Sequence, residues 1–148
     1  MTRYVVDASV VIKWFLPEVH TEAARRLLKD GLELSSPDLV RAEFGNVMWK
    51  RWRRGDLSAE AVDAALRSLG RLPLRIETSE SLLGAAWDVA RRFERGFYDG
   101  LYVALAERTD CPLVTADRRL YNSLRDGDLA RRLMWVEDLD PGQGREDT

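Results

Sequence analysis

Apolar residues recur along this chain with two periods, and the alternation between them predicts its layout. Residues 4–6 form a short apolar run ending at Asp7, and a second apolar segment covers 10–16, just before Pro17. That reads as a buried strand, a tight turn and a helix stopped by the proline. Residues 22–29 carry the spacing of a short amphipathic helix ending at Gly31, and 32–34 read as a weak strand. Ser36 and Pro37 read as a helix start, with the hydroxyl as cap and proline in the first turn. That helix is expected to run to Arg54 and stop at Gly55. Val62, Ala65, Leu66 and Leu69 share one face of a helix over 58–69. Residues 74–76 read as a strand and 79–94 as a helix ending at Gly96. Residues 101–106 are apolar nearly all round, which suits a helix buried on most sides. Residues 113–115 are a β-rich run after Cys111 and Pro112, as for an interior strand. Residues 120–132 read as helix in two pieces around Gly127, and 134–136 as a last strand. Strands alternating with helices predict an α/β sandwich with a mainly parallel central sheet.

Four acids stand where these apolar elements meet their edges. Asp7 and Asp117 each end a strand, so both reach the same rim of the sheet, where such folds place their sites. Asp99 lies at the start of the buried helix. On the 36–54 helix Val40, Phe44, Val47 and Met48 form the apolar stripe, and Glu43, Asn46 and Lys50 run along its flank. Each acid has an ordinary reading by itself. Asp99 can cap its helix, Asp117 the turn at Arg118, and Asp7 can form a turn closed by Ser9. Glu43 can be solvated or paired with Lys50. Together they point elsewhere, because charges at the edge of a core cost several kcal/mol unless compensated. Four of them ask for a cation. Ser9 and Thr115, each two residues from one of these acids, offer hydroxyls to hold a carboxylate or a metal-bound water.

Composition narrows the chemistry further. With 148 residues and 45% apolar content the chain suits one domain with a full core, expected over 1–136. No run approaches the roughly 20 apolar residues of a membrane span, and no signal pattern opens the chain, so a cytoplasmic protein without membrane attachment is expected. The one cysteine, Cys111, excludes an internal disulfide and reads as a core thiol. The one histidine, His20, has no ligand pattern near it, which argues against a serine–histidine–aspartate triad or a histidine-rich zinc centre. Neither GxxxxGK nor GxGxxG occurs. Carboxylates, hydroxyls and arginines remain, and such hard oxygen donors favour magnesium or manganese.

Charge is unevenly spread. Residues 137–148 hold Glu137, Asp138, Asp140, Glu146 and Asp147 against Arg145, so the rest of the chain is net positive although the whole is at −2. This acidic tail is expected to be disordered. Arg118 and Arg119 can contact phosphate or simply be solvated. Lys50, Arg51, Arg53 and Arg54 interleave with Trp49 and Trp52, a pattern that suits nucleic acid or a partner chain, with exposed tryptophans favouring the partner slightly. Glu18 and Asp110 read as surface charges.

Four stretches carry a resemblance: D-A-S-V-V-I-K-W-F-L-P-E from Asp7, S-P-D-L-V-R-A-E-F-G-N-V from Ser36, Y-D-G-L-Y-V-A-L-A from Tyr98 and L-V-T-A-D-R-R-L from Leu113. In this order and spacing the chain resembles PIN-domain ribonucleases, most closely VapC-type toxins of toxin–antitoxin pairs. The resemblance implies a three-layer α/β sandwich with a five-stranded mainly parallel sheet flanked by helices. It also implies endonucleolytic RNA cleavage with magnesium or manganese, a homodimer, and inhibition by a cognate antitoxin. The family's acidic positions match Asp7, Glu43, Asp99 and Asp117. Asp7 and Asp99 are then expected as direct ligands, Asp117 as completing the shell, and Glu43 as a ligand or as orienting the attacking water. Ser9, Thr115 and Asn46 are supporting residues. Two other readings are a catalytically silent interaction protein of the same fold and a phosphate-accepting receiver-like domain. The latter wants a second acid after the first strand and a lysine near the last, and neither is present.

Overall fold

A computed structural model of the chain describes residues 2–139. Its strands are β1 (Thr2–Val6), β2 (Leu32–Pro37), β3 (Leu74–Glu77), β4 (Leu113–Thr115) and β5 (Leu133–Trp135). Its helices are α1 (Ala8–Lys13), α2 (Thr21–Arg25), α3 (Leu39–Arg53), α4 (Ala59–Leu69), α5 (Ser79–Phe93), α6 (Phe97–Thr109) and α7 (Arg118–Leu124). All strand pairings are parallel, in the order β3-β2-β1-β4-β5.

Strand periodicity splits the core into two layers. Tyr4 and Val6 face a cluster with Val10 and Val11 of α1, Ala23 and Ala24 of α2, and Phe44 and Met48 of α3. Val5, between them, faces the other cluster, with Leu82, Ala86 and Val89 of α5 and the buried run 101–106 of α6. Val114 and Leu113 divide in the same way. Helices on both faces of a parallel sheet make the three-layer α/β sandwich expected for the chain. Among the described residues no helix is long and apolar enough to cross a membrane.

The local differences from the sequence reading have identifiable causes. Ser36 and Pro37 end β2 instead of starting a helix. A residue before proline is driven to extended backbone, and a proline at the last position of a strand leaves the ladder nearly intact. Ser36 is fully buried, and its hydroxyl donates to the Val6 carbonyl at 2.5 Å, tying β2 to β1. The helix starts after Asp38, whose carboxylate accepts from the Ser79 hydroxyl. The first helix ends at Lys13, before Leu16, and the segment expected over 22–29 is α2 followed by a 3-10 turn (Arg26–Leu28). The piece expected over 120–132 is α7, starting two residues earlier, and a 3-10 turn (Ala130–Arg132). The last strand is shifted one residue back. Glu137 and Asp138, read as tail, sit in a 3-10 turn (Val136–Asp138), and Leu139 is buried; the remaining tail, 140–148, lies outside the described residues.

Gly100, one residue after Asp99, sets how closely α6 lies on α5. A Cβ built there would stand 2.6 Å from the Ala86 carbonyl oxygen, a backbone atom that cannot swing away. Gly84, exposed in the middle of α5, has nothing within 4 Å of its Cβ position. Gly100→Ala should therefore destabilise the protein by roughly 1–3 kcal/mol, the overpacking cost exceeding the gain in helix propensity. Gly84→Ala should stabilise it by up to about 1 kcal/mol. Thermal melts of both variants check this, and equal shifts would show that the α5–α6 approach is not tight.

Candidate functional site

The strand order reverses direction of travel at β1: the chain builds outward to β2 and β3, then returns to add β4 and β5 on the other side. Two connections leave in opposite directions there, which opens a crevice beyond the strand ends. Asp7 follows β1 and Asp117 follows β4 at that crevice. α3 brings Glu43, Asn46 and Lys50 to it, and α6 brings Asp99 and Tyr102. Together with Ser9 they line one cleft of 330 Å³. All four predicted acids, and Ser9 and Asn46 among the supporting residues, therefore meet in one place. Thr115 stands behind them, fully buried.

Asp7 is the best-held member. Ser9 Oγ donates to its Oδ1 at 2.5 Å, and Thr115 Oγ1 donates to its Oδ2 at 2.5 Å. The Val10 backbone N–H adds a longer bond to Oδ1 at 3.3 Å, so Asp7 also caps α1. The same two hydroxyls accept backbone N–H groups from the β4–α7 turn: Ala116 N to Ser9 Oγ at 2.9 Å and Asp117 N to Thr115 Oγ1 at 3.0 Å. Each hydroxyl thus clamps the carboxylate with its proton and the neighbouring turn with its lone pair. Burial pushes the Asp7 carboxyl up to about 6, although these hydroxyl bonds pull it down; the Asp117 charge adds to the rise.

The other acids are half-buried. Glu43 Oε1 accepts from the Tyr102 hydroxyl at 2.5 Å instead of pairing with Lys50. Burial raises the Glu43 pKa, the Tyr102 bond lowers it, and the charges of Asp99 and Asp117 raise it again. Burial and the Glu43 charge push the Tyr102 phenol strongly upward, so it remains a donor. Asp99 is not a cap: α6 starts two residues earlier behind Gly96, and Asp99 takes no cap hydrogen bond. Burial raises its pKa and Asp117 adds to that, against Arg119 and Arg95. Asp117 does cap α7, its Oδ1 accepting from Arg119 N at 3.0 Å and Leu120 N at 3.3 Å.

This leaves specific oxygens over. Asp99 has both, Asp117 its Oδ2 and Glu43 its Oε2 without a hydrogen-bond donor among the described residues. Among those residues no three acids stand close enough to form a finished cation cage. Unpartnered carboxylate oxygens around one cleft, with no imidazole or thiol among the described residues that line it, still fit a hard divalent ion that draws them together. Their mutual repulsion is the force that such an ion would relieve.

Tyr102 is the site residue that sequence reading missed. It stands three positions after Asp99 on the same face of α6, a spacing that could have flagged it inside the apolar run. The arginine pair divides: Arg118 stacks on Trp135, 3.7 Å from the ring centroid, while Arg119 acts on Asp99. Glu18 is not a plain surface charge, since it holds Lys13 at 3.0 Å and Arg51 at 2.5 Å. Asp110 is exposed and pairs with Arg132.

A family model described as the PIN domain matches residues 4–123. Ribonuclease VapC3 of Pyrobaculum aerophilum is 34% identical over 120 residues, which is 80% of this chain and 92% of that protein. Ribonuclease VapC1 of Mycobacterium tuberculosis is 35% identical over 122 residues, 81% of this chain and 90% of that one. Among solved structures, one from Pyrobaculum aerophilum matches with a TM-score of 0.65 at 24% identity, covering 92% of this chain and 85% of that chain. VapC20 of Mycobacterium tuberculosis, described as a sarcin–ricin loop cleaving toxin, matches with 0.62 at 19% identity, covering 82% and 95%. These two solved structures are alike in fold alone. The family model covers the strand-end acids and both helices of the cleft, and on that ground, with the identity to these two relatives, the chain belongs to the PIN-domain family.

Proposed function

We propose that this chain is an endoribonuclease that uses magnesium or manganese, and the toxin of a toxin–antitoxin pair. The observation that carries this is the meeting of Asp7, Glu43, Asp99 and Asp117 in one cleft, each from a separate element. The naming of its relatives as VapC ribonucleases supports the RNA substrate. The antitoxin and a homodimer follow from the likeness to VapC-type toxins, and a cytoplasmic location from the same likeness.

Magnesium or manganese bound here supplies Lewis-acid chemistry, making water a better nucleophile and offsetting charge that gathers on the phosphate. Asp99, Asp117 and Glu43 would hold it through their unpartnered oxygens, with Asp7 anchored behind them. Tyr102 fixes the Glu43 rotamer, which leaves Glu43 Oε2 directed to its task, ligation or orientation of the attacking water. Asn46 and Lys50, at the rim, meet the sugar and phosphate of the substrate. Attack on phosphorus with departure of the 3′ oxygen leaves a 5′-phosphate and a 3′-hydroxyl. Without histidine in the cleft, no side chain there has an ordinary pKa near neutrality for acid–base work.

Purified protein incubated with structured RNAs, with and without manganese, is the direct experiment. Asp7→Asn, Glu43→Gln, Asp99→Asn and Asp117→Asn should each lower cleavage by about a hundredfold or more while keeping a folded circular-dichroism spectrum. Two or more retaining near-native rates would remove the assignment of these acids, whereas wild type that cleaves nothing in manganese would favour a silent interaction protein. Tyr102→Phe should act more gently. Losing its hydrogen bond raises the Glu43 pKa, so the acidic limb of the pH–rate profile should move to higher pH. An unmoved limb would mean that Glu43 does not need Tyr102.

Stability in chelator gives a test without substrate. Asp7 is protonated in both folded and unfolded chains at low pH. Above about 6 the folded chain must bury a charge that the unfolded chain keeps in water. Its raised pKa thus gives stability that is fully present below about 4 and lost as pH rises through about 6, a loss on the order of 3 kcal/mol. Melting of Asp7→Asn relative to wild type should therefore improve steadily across that window, and a constant offset would refute the buried charge. Manganese at a hundredfold excess over Kd should stabilise wild type by about 2.7 kcal/mol and Asp99→Asn far less.

A further inference from the structure

A cleft of four carboxylates repels a polyanion, so much of the affinity for RNA has to come from beside it. We propose that the outer face of α3 around Lys50 and Arg53 is the binding site for the single-stranded RNA that flanks the cleaved bond, with a base stacked on Trp49. This rests on the nuclease reading and adds the path of its substrate.

Continuity is the first ground. Val47 and Lys50 line the cleft and also a second groove of 620 Å³, whose other lining residues are Trp49, Arg51, Arg53 and Arg54. Lys50 and Arg53 lie roughly 10 and 15 Å along the helix axis beyond Glu43, Lys50 nearly in line with it and Arg53 about 80° round the helix, so a strand leaving the cleft past Lys50 winds onto this face. Charge is the second ground. Arg51 is held by Glu18 at 2.5 Å, and Arg54 faces Asp56 at 3.4 Å. Lys50 and Arg53 have no carboxylate partner among the described residues, and they stand ready for phosphate. Stacking is the third. Trp49 is 47% exposed and carries the Arg53 guanidinium 5.4 Å from its ring centroid, a platform of aromatic and cation like those that bind unpaired bases. The more exposed Trp87 of α5 offers no such platform, because Arg91 and Arg92 beside it are both paired with Asp88. An apolar partner segment would find only Val47 and Trp49 in the groove, among four cations, with the exposed Trp52 outside it.

The experiment is fluorescence anisotropy of the full chain with a labelled single-stranded RNA of about 15 nucleotides, in chelator so that nothing is cleaved. The variant Trp49→Ala, Arg53→Gln, which leaves the cleft-lining Lys50 in place, should bind at least about tenfold more weakly, and its log–log salt slope should fall by about 0.7. The control Trp87→Ala, Arg91→Gln, which removes the same residue types from α5, should match wild type. Equal binding by variant and wild type, with cleavage by both in manganese, would overturn the path and leave the nuclease reading standing. A variant that loses a co-expressed antitoxin yet keeps its RNA affinity would assign the face to the protein partner and also overturn the path. Wild type that neither binds nor cleaves RNA would remove both readings.

Discussion

A carboxylate that water barely reaches, clamped between two hydroxyls, is the constraint on which the rest of this site depends. Asp7 is 5% exposed, and among the described residues no lysine or arginine side chain pairs with it. What holds it are Ser9 and Thr115, whose lone pairs at the same time fix the backbone of the β4–α7 turn. The two turns of the crevice are therefore one hydrogen-bonded unit. A shift of either would leave a buried carboxylate short of a donor, which costs more than an ordinary hydrogen bond gains. Asp117 inherits its position from that unit through its own N–H.

Capping and site roles turn out to be compatible. Asp117 spends Oδ1 on the first turn of α7 and keeps Oδ2 for the cleft. Asp7 caps α1 and still faces the cleft. A carboxylate has about four acceptor positions, so a cap uses at most half of them. The ordinary reading of a strand-end acid and the functional one are thus two halves of the same side chain. Only Asp99 had to be one or the other, and the start of α6 two residues earlier makes it a free acid on a buried helix.

Much of this was legible because period and position are local. The strands at residues 4–6 and 113–115, the buried helix over 101–106 and the flank of Glu43, Asn46 and Lys50 all follow from spacing alone. What spacing could not give was anything decided between distant segments. Ser36 looks like a helix cap until Val6 is beside it to accept its proton. Tyr102 looks like core until Glu43 arrives from another helix, 59 positions away. Glu18 looks solvated until Lys13 and Arg51 close on it. These three misreadings lie at polar groups that each have a partner from far along the chain.

The acids also explain why the opposite layer is built so tightly. Asp7, Glu43 and Asp99 all have raised pKa values, so as charges they oppose folding. The apolar run of α6 and its close approach to α5 at Gly100 supply compensating burial on the face away from α3. Because Asp99 and Tyr102 ride on that helix, the packing that offsets the charges also delivers one of them and the donor that orients another. Loosening the α5–α6 contact therefore weakens the fold and displaces the site through the same helix.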